Sequence, residues 1–270
     1  MSYNLYDWNN ALRQRDEYVE DRLKDGSPIV AVSFDEGILL LTLRSAQRKI
    51  FEVYDRLMMG ALGKQSDIEA LRIAAIDTAH REGFERSPDD VSIQRLVGFA
   101  LSPAIKRSYN DQQVIPLTIR AIFAELGRTA ETDHLFVLGF DGEFKTLTGI
   151  AVAGGTPYAE EQAEEALRAA ETPHSLSEAV AVALNAWGVG RSRLSPKSDA
   201  KDDEDDYNPT PDSESTDAPK VSDDPAVAIR EALKDGAVLE AGVLFRNTTR
   251  ETKFRLLKAS ETDQALAAYR

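Results

Sequence analysis

The chain has 270 residues, 42% hydrophobic and 29% charged, enough apolar content for the core of one large domain or two small ones. Its formal net charge of −14 excludes a nucleic-acid binder, which needs a basic surface to displace phosphate counterions, and equally a protein that docks on anionic membranes. The absence of cysteine removes disulfides, thiolate metal sites and a Cys nucleophile together. The opening residues MSYNLYDWNN lack a basic stretch followed by an apolar run, and apolar runs such as Gly37 to Leu41 are too short to span a bilayer, so a soluble, cytoplasmic protein is expected.

In chain order, Asn9 to Lys24 is dense in charge and carries Leu12, Tyr18, Val19 and Leu23 at helical spacing, with Gly26 just past its end, and predicts an amphipathic helix. Ile29 to Phe34 and Ile38 to Leu43 predict two strands joined by the hairpin signal Asp35-Glu36-Gly37, and Lys49 to Tyr54 and Arg56 to Leu62 two more. Ser66-x-x-Glu69 reads as a capping box opening a helix to about His80, and Ser87-Pro88 as the start of another. Strand patterns resume at Val114 to Glu125 and at His134 to Phe140, turning at Asp141-Gly142. Helices follow from about Ala159 to Ala170 and from the capping box Ser175-x-x-Glu178 to Trp187-Gly188.

From Lys197 to Asp224 eleven acidic residues face three lysines, with almost no large apolar side chain. Such a stretch buries too little surface to offset its ordering entropy, which predicts a disordered acidic insert. A short helix is expected after Pro225, then a hairpin of Leu239 to Phe245 against Lys253 to Lys258, and a last helix opened by Ser260. Grouped strands and grouped helices favour an α+β protein of stacked layers over a βαβ alternation.

The strand pair Ile29 to Leu43, the run Gln47 to Asp55, the strand into Gly60-Ala61-Leu62-Gly63-Lys64, and the segment Phe136 to Gly142 with Ala153-Gly154-Gly155 occur in an order that resembles the proteasome family, and the bacterial α-type subunit most closely. The resemblance runs from about Leu5 to Leu266, apart from the acidic stretch. It implies a four-layer αββα sandwich (the Ntn-hydrolase fold) with an additional N-terminal helix, assembled into seven-membered rings. The expected division is an N-terminal gate segment and helix at 1–26, the sandwich core at 27–196, the insert at 197–224 and the rest of the same sandwich at 225–270. The implied role is a non-catalytic α-type subunit of a core particle, gating substrate entry and docking an activator. Its implied partners are identical α subunits, β-type subunits that carry the proteolytic threonines, and a ring ATPase or other activator binding through its C-terminal tail. No cofactor or metal is expected: His80, His134 and His174 stand far apart.

Two alternatives compete: a self-standing Ntn-hydrolase and a ring scaffold without a proteolytic role. Ser27 after Gly26 stands where a β-type subunit has its threonine, and Lys49 near the family's catalytic lysine. Against catalysis stand Pro28, the apolar Leu43 where a supporting aspartate should fall, and the helix that processing would discard. No catalytic residue is therefore assigned. Gly63-Lys64 matches the α-type pattern in which a lysine meets the terminal carboxylate of an activator, a task suited to a point charge on a short loop. Tyr3, Tyr6 and Trp8 would form the gate; Tyr6-Asp7 resembles the Tyr-Asp pair of other α subunits, but the proline and Gly-Arg-x-x-Gln-x-Glu-Tyr run that follow there are missing. The C-terminal Ala268-Tyr269-Arg270 resembles activator tails only loosely.

Overall fold

A computed structural model describes residues 5–193, 224–250 and 252–270, with side chains from residue 8 onward. Tyr3 and nearly all of the acidic insert lie outside the described residues, and of Tyr6 only the backbone is described.

Among the described residues, ten strands form two five-stranded antiparallel sheets. The first sheet orders β10 (Phe254–Leu256), β9 (Val238–Phe245), β2 (Gly37–Arg44), β1 (Ile29–Phe34) and β8 (Ile150–Ala153); the second orders β3 (Ile50–Tyr54), β4 (Leu57–Gly63), β5 (Ile119–Glu125), β6 (His134–Leu138) and β7 (Phe144–Leu147). β1 and β2 are apolar at almost every position because they are covered on both faces. Along β1, Ile29 and Ala31 point between the sheets, while Val30, Val32 and Phe34 point at helices α4 (Pro157–Ala169) and α5 (Leu176–Ser192). Along β4 the same alternation sends Met58 and Leu62 between the sheets and Leu57, Met59 and Ala61 to α2 (Gln65–Glu85). The result is three apolar layers between four structural ones, the αββα sandwich expected from the sequence.

α1 (Leu5–Leu23) lies at one end of the inter-sheet layer, burying Val19 and Leu23 completely. It begins at Leu5 rather than Asn9, so residues 5–8, expected as part of a separate gate segment, belong to its first turns. Several boundaries differ from expectation for local reasons. α2 is not opened by a capping box: it starts at Gln65, Ser66 bonds Asp67, and Glu69 pairs with Arg72. It continues past His80, whose ring Nδ1 donates to the Ile76 carbonyl and whose ring meets Tyr54 edge-on. Ser87 caps only a 3₁₀ turn; the chain restarts as a π-helical stretch, Gln94–Leu101, running into α3 (Ser102–Asn110). Pro103, which has no N–H to give, sits at that junction. α4 starts at Pro157 behind the cap Thr156, and α7 (Ala259–Leu266) starts one residue before Ser260. The capping box of Ser175 and Glu178 on α5 is present in full.

α6 (Pro225–Lys234) packs on α5, and β9 pairs with β2 over its whole length, so the segment after residue 224 completes the first sheet. Tyr269 packs on the helix side of that sheet and Arg270 pairs with Asp263, which ties the C-terminal tripeptide to α7. Among the described residues no helix is long and apolar enough to cross a membrane.

Candidate functional site

Lys64 follows the last residue of β4 and precedes the first turn of α2. Gly63 makes this possible: its φ is +129°, and a Cβ there would fall 2.1 Å from the Thr118 carbonyl oxygen. The Lys64 N–H donates to that same oxygen (2.9 Å), and the Thr118 N–H donates to Asp67 Oδ2 (2.9 Å). These two bonds fix the strand end, the helix start and the segment before β5 as one unit. The exposed Lys64 side chain stands over a cleft of about 340 Å³ shared with Tyr18, Arg22, Asp67 and residues 115–118. Neither Lys64 nor Arg22 has a carboxylate within ion-pair distance among the described residues; Arg22 stacks on Tyr18 at 4.9 Å instead. Both oxygens of Asp67 are occupied, by Ser66 and Thr118. The cleft therefore presents two cations and one carboxylate, Asp67, whose oxygens are turned to Ser66 and Thr118 and not to Lys64 or Arg22, which leaves the two cations free to meet a carboxylate from outside.

Arg22, Tyr18 and the 115–118 segment were not singled out for this site in the sequence. Arg22 reads there as one of many helix charges, and Val114-Ile115 as the start of a strand. Pro116 removes a ladder donor, β5 begins only at Ile119, and Ile115 is left 73% exposed. An apolar pair just before a proline was the available signal.

The first turns of α1 place Trp8, half-buried, beside Asn110 to Gln113 after α3. Lower on α1, Arg15 donates to the carbonyls of Ser108 (3.3 Å) and Val114 (2.9 Å), and Tyr109 donates to Asp16 Oδ1 (2.5 Å). Burial and the Asp16 carboxylate push the Tyr109 phenol well above its ordinary range.

Ser27 sits apart from this cleft, at the start of β1. Its Oγ donates to the Leu43 carbonyl (2.5 Å) and accepts from Trp187 Nε1 (3.1 Å), with Thr42 Oγ1 at 3.2 Å. Lys49 Nζ donates to the Ser27 carbonyl oxygen (3.3 Å), and burial lowers its pKa from 10.5 to about 8. Glu240 holds the Lys49 and Ile50 N–H groups (3.0 and 3.3 Å), and its own burial shifts it upward. The sequence thus brings Ser27 and Lys49 together, but with the hydroxyl proton committed to a main-chain acceptor.

A family model described as proteasome subunit matches residues 23–197, from the end of α1 through α5. The chain belongs to the proteasome subunit family. It is 30% identical over 182 residues to the proteasome subunit alpha of Renibacterium salmoninarum, covering 67% of this chain and 74% of that one. It is 31% identical over 181 residues to that of Actinosynnema mirum (66% and 67%), and 30% identical over 146 residues to that of Geodermatophilus obscurus (53% and 50%). The match thus spans half to three quarters of these relatives. They are bacterial α subunits, in keeping with the resemblance read from the order of motifs.

Proposed function

We propose that this chain is a non-catalytic α-type subunit that forms a ring with copies of itself in the cytoplasm, stacks on β-type subunits and gates entry to them. The observation that carries this reading is the Lys64 cleft: an exposed ammonium with no ion-pair partner among the described residues, beside Arg22, at a position set by Gly63 and Thr118. Its chemistry suits the terminal carboxylate of an activator tail. The exposed apolar side chains of Ile73 and Phe84 on α2 and of Phe99 on the neighbouring π-helical stretch support a partner on that layer, for which a β-type ring is the candidate. Two features favour a non-catalytic role: the Ser27 hydroxyl is hydrogen-bonded to the Leu43 carbonyl, and its neighbour Pro28 donates no N–H.

The decisive experiment is co-expression with a β-type subunit that carries a mature N-terminal threonine. A co-purifying particle that cleaves peptides, whose activator stimulation is lost in Lys64→Ala while basal cleavage persists, is the expected result. Deleting residues 2–8, which include Tyr3, Tyr6 and Trp8, should raise basal cleavage. Failure to co-purify would leave the scaffold reading in its place, and an intact mass lacking residues 1–26 would favour the hydrolase reading instead.

A further inference from the structure

α2 covers the second sheet with one side, where Ile68, Leu71, Ala75, Ala79 and Gly83 are buried. Its other side is uncovered. Ala70, Ile73, Ala74, Asp77, Arg81 and Phe84 are exposed there, Ile73 by 51% and Phe84 by 92%. At 3.6 residues per turn these six fall in one strip about 100° wide, and from Ala70 to Phe84 it runs about 21 Å along the helix. The Phe84 ring gains almost nothing from the fold of its own chain, so its burial is left for a partner.

The charges of α2 divide into two groups. Glu69 pairs with Arg72, Glu82 pairs with Arg86 and Arg95, and Asp67 bonds Ser66 and Thr118. Asp77 and Arg81, one turn apart in the middle of the exposed strip, have no partner among the described residues, not even each other, and Glu85 at its end has none. The strip is complementary to itself when reversed. A second α2 laid antiparallel, with a two-fold axis between Thr78 and Ala79, sets Phe84 of each copy on Ala70, Ile73 and Ala74 of the other. The same operation brings Asp77 of each opposite His80 and Arg81 of the other, and Glu85 opposite Arg72, so that unlike charges meet throughout.

We infer that, in the absence of β-type subunits, a ring of this chain stacks face to face on a second ring of the same chain through reciprocal α2–α2 contacts, each an isologous pair. The inference rests on the ring reading above and on its placing of a ring partner on this layer. It adds that the layer is self-complementary, so a second copy and a β-type ring compete for it. A single α2 pair, about 21 Å long and 10 Å wide, covers roughly 200 Å² of each helix. That is small beside the roughly 1,200 Å² of a stable interface, so the contact holds only where a ring presents several copies at once. The free subunit is then stored with Ile73 and Phe84 covered, and a β-type partner must displace the second copy to reach them.

The test is the mass of the full chain expressed alone, measured by native mass spectrometry and sedimentation. A particle with twice the copies of a single ring is expected. Phe84→Asp, at a side chain the fold leaves in solvent, should halve that mass. Asp77→Arg and Arg81→Asp should each halve it as well, by setting like charges opposite one another. Mixing these two variants should restore the full mass, because one strip is then basic at both positions and the other acidic at both. Single rings of the unaltered chain would overturn the inference and leave the ring reading standing. A double ring indifferent to all three substitutions would overturn the α2 contact. Nothing larger than a monomer would overturn the ring reading and the stacking with it. Because the three side chains are exposed and the first comparison needs no variant, misfolding of one substitution does not decide the outcome.

Discussion

Arg246, the first residue after β9, closes a bidentate ion pair on Asp133, the residue before β6, with 2.7 Å between each nitrogen and its carboxylate oxygen. The pair joins the two sheets, and Asp133 has no solvent exposure. Asp133 also accepts from the Gly127 N–H, and Arg246 donates to the carbonyls of Phe34, Asp35 and Gly127. Removing one partner leaves a buried, uncompensated charge. Asp133→Ala should therefore cost about 3 to 5 kcal/mol of unfolding free energy, read from denaturant midpoints at constant slope. A loss under about 1 kcal/mol would show that water reaches the pair.

Lys49 gives a pH prediction. Its folded pKa, lowered from 10.5 to about 8 by burial, means that the fold disfavours the ammonium. The penalty is complete below pH 8, is relieved as pH rises from 8 to 10.5, and is gone above the unfolded value. Its ceiling is about 3 kcal/mol, from 1.36 kcal/mol per unit. Lys49→Met should stabilise the chain at pH 7, less the lost bond to Ser27, and the gain should shrink toward pH 10.5. A gain that is constant across that window would mean the amine is solvated in the fold.

Gly63→Ala tests the support of Lys64. With φ at +129° and the Thr118 oxygen in the way, an alanine must move the backbone. The conformational strain alone is worth about 1 to 3 kcal/mol. Thermal unfolding should shift down accordingly, and the binding of a carboxylate-terminated peptide should weaken together with it. Wild-type stability in this variant would mean that the turn has another accessible geometry.

Tyr109→Phe removes the bond to Asp16 while keeping the ring under Arg15. A hydrogen bond to a charged group contributes about 1.5 to 3 kcal/mol. Because the bond joins α1 to α3, the loss should appear as faster hydrogen exchange in the N-terminal half of α1, with the sheets unaffected. Uniform acceleration across the molecule would instead assign Tyr109 to global stability.

The sandwich was legible in the sequence wherever burial is two-sided: β1, β2, β4, β5 and β6 are mostly apolar runs, with Met58 and Met59 in β4 and Arg120 and Glu125 in β5 among them. β7 was not, because at the sheet edge Lys145 and Thr146 face solvent and the run carries little apolar signal. β8 was missed as a strand since its four residues end in the Gly154-Gly155 turn. The start of α1 was obscured by aromatic residues, which suit a frayed segment as well as a helix. Within the site, Lys64 could be named because one glycine and one lysine sit side by side. Arg22 and Pro116 could not, because only the fold sets them beside a residue about 40 to 50 positions away in the chain.

Val19 and Leu23 fix the lower end of α1 inside the layer between the sheets, while Trp8 near its other end is only half-buried. Such a helix behaves as a beam clamped at one end. From Val19 to Leu5 it rises about 21 Å, so a tilt of about 10° about the clamp carries the free tip sideways by roughly 4 Å. Arg15 and Asp16, bonded to Ser108, Val114 and Tyr109, stand between that clamp and the tip, so a tilt of this size would strain those bonds before it disturbed the apolar layer.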